Sequence, residues 1–586
     1  MKSIEGKMQK QLHNSSFPKI ISILTVFIYI INVLWNLNSL NAVYGVNDDY
    51  LIKSFLDGTY LGEPITNTTY INELLGYLII FLYSYFPLVP IYNIFLLITV
   101  VLTLVGVLIT SYRSQKTELI IIKCLVWFIT ATLITNWFML SPTFTAASII
   151  VTTFGYYLVL RKLLAWEQNR NLNLVTPLIF LTLGFLLRVK GFQGASLVWV
   201  PLLAFVLLKL LLRNREILKY IFSRFNILSS GVLLFMIIVS NLSMNSEWKV
   251  YYEYNNLRQE IVNTTRVIQI EQNLNEVGWD KAKLINFDNY TFADKDFFND
   301  EALSNLIQIS NKSQGLTGLL NPVVSVDERL INISKYNNFL LSILILPLIF
   351  LIITSAKQKI FIYFTFIFLS SLCFGTYYIL ATGKIEERVI VPLFLGLWFY
   401  FFSLPSENSR VKNLSAISLF TILLVPFAIF FEKHTHEPTY YKERSKWNGR
   451  AIEFSIGQQK YLAKFGPEAI FVGPLSAIRQ SWSSPYMRVT EPNFKFISLG
   501  WHNFSPAWVR KNNSVFRNTE TIYENLKSNP TTYWVSDPYS ADFFFAYLAS
   551  QNILVNQPKL VGQFGSEQND YGGYYNVYSL NGANVS

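Results

Sequence analysis

Two adjacent carboxylates, Asp48 and Asp49, stand in NDDYLIKSFLDGTYLGEP, just past the first long apolar stretch of the 586-residue chain. A carboxylate held where a membrane span meets water can take a proton from an acceptor hydroxyl, a role worth about 10²- to 10⁴-fold in rate. Crowding of the two acids beside low-dielectric lipid favours a raised pKa for one of the pair and makes it a better base. The pair could also hold a divalent cation, given further oxygen ligands that no motif identifies. A structural role competes with both. In DDYLIKSFLDG the residues Leu51, Ile52, Phe55 and Leu56 share one helical face and Gly58 is a natural stop. Asn47 would then cap a short amphipathic helix lying along the outer interface, with the acids complementing its dipole.

A second group of residues could recognise anions. Arg188 and Lys190 in GFLLRVKGFQG, and Lys384 and Arg388 in ATGKIEERVIVP, sit at span ends on the same expected face as the acidic pair. A cation in mid-span costs about 2.5 to 3.5 kcal/mol on insertion scales, so cations near span ends commonly snorkel to headgroups. These four depart from the charge bias that the other short loops obey. Convergence on a phosphate is the alternative, since arginine and lysine suit that group.

The elements that must position these residues are membrane spans. The chain is 52% hydrophobic and 16% aromatic, with 15% charged residues and a mean hydropathy of +0.32, a composition too apolar for an ordinary soluble enzyme. Spans of roughly 20 apolar residues recur near 19–40, 91–111, 118–140, 143–160, 172–187, 192–212, 226–246, 337–356, 360–382, 389–405 and 414–431. That makes about 11 transmembrane helices. The segment 71–86 is short and is followed by PLVPIY, so it reads as an interfacial helix. With that choice Arg113 and Lys116, Arg161, Lys162 and Arg170, Arg213 to Arg224, Lys357 and Lys359, and Arg410 and Lys412 all fall inside. The net charge of +11 is therefore a positive-inside signature and no nucleic-acid stripe.

The expected organisation is a cytoplasmic N-terminus at 1–18, a transmembrane domain at 19–431 and an extracytoplasmic α/β domain at 432–586. External loops lie at 41–90 and 247–336. The basic N-terminus leads into a first span that is retained, being longer than a signal-peptide core and lacking a small-residue cleavage site. The tail alternates strand-like runs (AIFVGP, FKFISLGW, TTYWVSDP, NVYSL) with helical ones (TETIYENLKSN, YSADFFFAYLASQN). In the large loop, WKVYYEYNNLRQEIVNTTRVIQIEQNL is the longest helical candidate.

Other chemistry finds little support. His434 and His436 lack a third metal ligand, so no metal site is assigned, and His502 reads as a surface or packing residue. Cys124 and Cys373 lie in separate apolar runs and make no disulfide framework or thiolate metal site. No Walker-type loop, dinucleotide fingerprint or G-x-S-x-G elbow occurs.

A first span, an external loop opening on an acidic pair, an interfacial helix, many further spans and an external α/β tail resemble the GT-C class of membrane glycosyltransferases. NDDYLIKSFLDGTYLGEP and TYINELLGYLIIFLYSYFPLVPIY resemble bacterial membrane proteins of surface polysaccharide synthesis, over about the first 110 residues. The resemblance implies a GT-C-like α-helical polytopic protein of the plasma membrane that uses a polyprenyl-phosphate-linked sugar donor and a glycan or lipid acceptor. It implies Asp48, or its neighbour Asp49, as catalytic base, and Arg188 and Arg388 as ligands of donor phosphate. It does not settle metal dependence, because members of the class differ in it. Three alternatives stay open: a polysaccharide polymerase or ligase, a glycolipid flippase, and a structural or receptor protein that binds through its tail.

Overall fold

The computed structural model describes residues 17–111, 117–169, 173–223, parts of 226–238, 245–264, Leu274, 278–295, 297–314, 359–381, 387–403, 438–478, 482–487, 494–517, 521–554, 557–565 and 574–581. Helices come first along the chain: α1 Phe17–Ser39, α2 Asn47–Leu56, α3 Glu73–Tyr85, α4 Ile91–Ser111, α5 Thr117–Leu140, α6 Phe144–Asn169, α7 Val175–Leu187 and α8 Val189–Arg213. The large loop contributes α9 Ser246–Thr264, α10 Lys281–Asp288 and α11 Asp300–Gln314. Two more apolar helices follow, α12 Lys359–Ala381 and α13 Glu387–Ser403. The C-terminal unit holds α14 Pro438–Leu462, β1 Ile470–Pro474, β2 Lys495–Leu499, α15 Pro506–Phe516, α16 Ile522–Ser528, β3 Thr532–Ser536, α17 Pro538–Ser550, β4 Lys559–Gly565 and β5 Tyr574–Ser579.

Five segments are long and apolar enough to cross a membrane: Lys19–Ser39, Ile91–Ser111, Lys123–Leu140, Phe144–Trp166 and Val189–Arg213. The face of α1 carrying Ile23, Phe27, Ile31 and Trp35 is exposed, as a lipid-facing stripe requires. In contrast α6 is wrapped by α4, α7, α8 and α13 and is buried nearly all round. The expected spans at 337–356 and 414–431 lie outside the described residues, and that at 226–246 lies there in part.

Three expected boundaries move. The segment expected to span from 143 to 160 continues helically to Asn169, so Arg161 and Lys162 lie within α6 and not in a loop. The expected 172–187 span forms only the 13-residue α7, about 20 Å long and short of the roughly 30 Å of hydrocarbon. Helix α8 begins at Val189, which puts Lys190 in its first turn. Helix α3 is likewise 13 residues long, opened by Asn72 accepting from the Leu74 amide at 3.0 Å.

The C-terminal unit is a five-stranded sheet in the order β2-β1-β3-β5-β4, parallel across β2-β1-β3 and antiparallel beyond. The four strands expected from the sequence are present, and β4 is additional. So are α14, a 25-residue helix, and α15. Along β1 the period of two is strict: Ile470 and Val472 face a core shared with the loops, while Phe471 faces Leu462 and Phe465 near the end of α14.

Helix α2 joins the two halves. Ile52 and Leu56 pack into the core of the helical bundle, while Leu51 and Phe55 pack into the core formed with the large loop and the sheet. Each pair is spaced i, i+4, so two adjacent faces of one short helix are buried in different cores. This corrects the expectation of a helix lying along the lipid interface. Its start also differs: the cap position is Val46, which makes no side-chain cap, and Asn47 is the first helical residue. The helix ends as expected before Gly58, which has φ 81°.

Candidate functional site

The two aspartates are one residue apart and have different surroundings. Asp49 is fully buried, and its Oδ1 accepts hydrogen bonds from the Tyr92 hydroxyl at 2.7 Å and the Phe144 amide at 3.0 Å. Phe144 opens α6, so Asp49 supplies a carboxylate to a helix N-terminus far along the chain, where the dipole favours it. Its Oδ2 is buried with no hydrogen-bond partner among the described residues. Burial drives the Asp49 carboxyl up from the ordinary 3.8 to about 7, opposed by the Tyr92 and Phe144 hydrogen bonds and by the charge of Arg388. Asp48 is only half-buried.

Arg188 occupies the break between α7 and α8, in extended backbone. The break is pressed against α6. Ser148 donates to the carbonyls of Gly184 and Arg188 at 2.7 and 3.0 Å. A Cβ on Gly184 would come within 2.0 Å of Thr152 Oγ1, so only glycine permits this approach. The guanidinium donates to Thr145 and lies 4.9 Å from the Phe144 ring centre and 5.6 Å from that of Tyr70, within cation–π range.

Tyr70 is where the parts converge. Its ring stacks on Phe144 at 5.7 Å and meets Trp501 of the C-terminal unit at 4.7 Å. The phenol is pushed upward by burial first and next by the charge of Asp48, while Arg258 and Arg188 pull it down. Asp48, Arg188 and Arg258 therefore all act on one ring.

Arg258 was not among the residues singled out by sequence, although a signal was there. In α9, Trp248, Tyr251, Asn255, Arg258 and Ile261 recur at spacings of three and four and are all buried, so the arginine lies on the inward stripe. It is 2% exposed. Its Nε and one terminal nitrogen donate to Asn255 Oδ1 at 3.1 and 2.8 Å, and the Tyr290 ring lies 5.3 Å away. Among the described residues no carboxylate forms a salt bridge with it. Burying a guanidinium is costly unless its charge is offset, so an anion at this position would be strongly favoured. Lys190 donates to Gln259 of the same helix at 2.8 Å.

The remaining sequence candidates fall elsewhere. Arg388, in the first turn of α13, borders a separate cavity beside residues 45–46, and Lys384 lies outside the described residues, as do His434 and His436. His502 is fully buried, not on the surface. Its Nε2 is 3.0 Å from Ser498 Oγ, and burial, followed by the charge of Arg258, holds its pKa down to about 3. Among the described residues no group of three or more His, Cys, Asp or Glu gathers around the acidic pair. An apolar groove of about 280 Å³ runs between α3, α4 and α7, from Ile91 beside Tyr92 to Leu102.

The described residues make a mostly helical protein with five helices long and apolar enough to cross a membrane and a five-stranded mixed sheet. Protein-family models, curated proteins and solved structures yield no match to this chain.

Proposed function

We propose that the protein is a membrane glycosyltransferase that moves a sugar from a polyprenyl-phosphate donor to a cell-surface glycan or lipid acceptor. The observation that supports the reading is at Tyr70, on the seam between helical bundle and sheet, where the Arg188 guanidinium lies 5.6 Å from the ring centre and the charges of Asp48 and Arg258 also act on the phenol. In this mechanism Asp48 takes the proton of the acceptor hydroxyl as its oxygen bonds to the anomeric carbon. The bond from that carbon to the phosphate oxygen breaks, and the phosphate leaves with the electron pair. Arg188, Lys190 and Arg258 offset its charge, and positioned donors of this kind are worth about 10²- to 10³-fold each. The isoprenoid chain lies in the apolar groove that starts beside Tyr92. Asp49 is a positioning residue that holds the start of α6 and the neighbouring Asp48.

With the N-terminus inside and α1 crossing the membrane, the Asp48 end faces the outside of a bacterial plasma membrane, where polymers of the cell surface are assembled. The test is incubation of the purified protein in vesicles with a polyprenyl-monophosphate sugar and a labelled acceptor. Labelled glycoside and free polyprenyl phosphate are the expected products. Turnover confined to diphosphate-linked oligosaccharides would point instead to a polymerase or ligase. Movement of intact glycolipid across the bilayer would point to a flippase.

A further inference from the structure

A cavity with polar walls lies beside the 45–46 segment that leads into the acidic pair. It has a volume of about 240 Å³ and is lined by the 45–46 segment, the end of α5, the turn to α6, the start of α13 and α14. Its polar lining comes from Trp137, Ser141, Thr143, Glu387, Arg388 and Arg444. Two of these are cations and one is an acid, so the lining carries a net positive charge. A space of about 240 Å³ has room for a monosaccharide-sized group.

The walls are firmly placed. The Trp137 indole donates to Glu387 at 2.6 Å, tying the end of α5 to the start of α13. Arg444 arrives on α14, whose next turn is docked on the loop after α1. Ser445 accepts from the Asn41 amide at 2.8 Å, and Asn448 donates to the carbonyls of Asn41 and Leu140 at 2.8 and 3.1 Å. A Cβ on Gly449 would lie 2.8 Å from the Asn41 side-chain Nδ2, so the two segments are in close apposition. The Arg444 guanidinium also lies 5.0 Å from the Trp447 ring centre. Two guanidiniums from elements 56 positions apart (444 − 388) thus border one small space, and a planar or tetrahedral oxyanion matches their donors. Glu387, Ser141 and Thr143 add acceptors and donors of the kind that sugar hydroxyls use.

We propose that this cavity binds an anionic monosaccharide unit of the acceptor, with Arg388 and Arg444 receiving its carboxylate or phosphate. The inference rests on the glycosyltransferase reading and deepens it. The donor phosphate is then met by Arg188 and Arg258, and the charged acceptor sugar by Arg388 and Arg444 in the cavity beside the 45–46 segment that leads into Asp48. The C-terminal unit, through α14, then takes part in selecting the acceptor.

The test is equilibrium binding to the full-length protein in nanodiscs without donor, read by calorimetry, using glucuronate, glucose 6-phosphate, glucose and inorganic phosphate. Glucuronate or glucose 6-phosphate should bind at least about tenfold tighter than glucose, a difference of one pKd unit or about 1.4 kcal/mol. Whichever of the two is preferred identifies the source of the anion. Arg444→Gln and Arg388→Gln should each remove that preference, Arg444→Lys should retain part of it, and Arg188→Gln should leave it intact. Equal binding of glucose and the anionic sugars overturns the proposal. So does an undiminished preference in Arg444→Gln, or inorganic phosphate binding as tightly as the sugar phosphate. Because no donor is present, intact binding in a protein that transfers no sugar would sink the enzymatic reading alone. Transfer to neutral acceptors with no anionic preference would sink the cavity alone.

Discussion

Both ends of the helical bundle hold arginines away from full exposure, and they satisfy them in different ways. At one end Arg161, on α6, donates to the Thr110 carbonyl at 2.7 Å and the Phe402 carbonyl at 3.3 Å, near the C-termini of α4 and α13. Helix C-termini leave carbonyls without intrahelical partners, so this guanidinium completes the backbone of two neighbours. At the other end, about 26 Å along α6 by its rise per residue, Arg188 and Arg258 are held by side-chain oxygens and aromatic rings. One end therefore uses its arginine to close the fold, and the other gathers cations around Tyr70, the ring on which Asp48 also acts.

That contrast can be broken by removing each arginine in turn. At the sheet end, the pair Arg188→Gln and Arg258→Gln should lower kcat/KM for the donor by about 10²- to 10³-fold, measured in preparations whose melting midpoint is recorded alongside. Arg188→Lys should fall between, because an ammonium keeps the charge and loses the planar fork. An unchanged kcat/KM in the double variant would erase the distinction between the two ends.

At the other end the expected signature is reversed. Arg161→Gln leaves the Thr110 and Phe402 carbonyls short of a donor, at a cost of about 1 to 3 kcal/mol, and thermal unfolding should show it. Transfer by the folded fraction should match wild type. A selective loss of activity without loss of stability would show that this arginine does more than close the helices.

A further expected effect concerns Asp49 and has a definite sign. Its folded pKa of about 7 lies above the ordinary 3.8, so between those values the folded state binds more protons than the unfolded one. Stability should then decline as pH rises from about 4 to about 7 and level off above, the slope following the proton difference. Asp49→Asn should flatten that part of the profile, measured by melting in detergent from pH 4 to 8. Tyr92→Phe removes a hydrogen bond that favours the charged form and should extend the decline to higher pH. A wild-type profile that rises over this window would contradict the placement of Asp49.

The membrane segments of this fold were legible because apolar runs of span length are hard to disguise, and α1, α4 and α5 end within two residues of where hydropathy puts them. The strands β1, β2, β3 and β5 were legible from short runs of β-formers between turn residues. The exposed β4 was not, since KLVGQFG has two glycines and little burial on either face. Helix α14 was missed because its sequence, PTYYKERSKWNGRAIEFSIGQQKYL, is polar and its role is to dock on Asn41 more than to fill a core. At the site, the acidic pair and Arg188 stood out by charge in apolar surroundings. The different burial of Asp48 and Asp49 could not be read, because it depends on Tyr92 and Phe144 from two other helices. Tyr70 and Trp501 carry no charge that would draw notice. Their pairing is set by a fold in which residues 431 positions apart (501 − 70) meet.

The central claim is that Asp48 is the base and Asp49 its support. The direct measurement is single-turnover transfer from a radiolabelled polyprenyl-phosphate sugar by the wild type, Asp48→Asn and Asp49→Asn in nanodiscs. The account predicts transfer by wild type, a fall of about 10²- to 10⁴-fold in Asp48→Asn with donor binding retained, and a smaller, pH-dependent loss in Asp49→Asn. Full activity in both variants would contradict it.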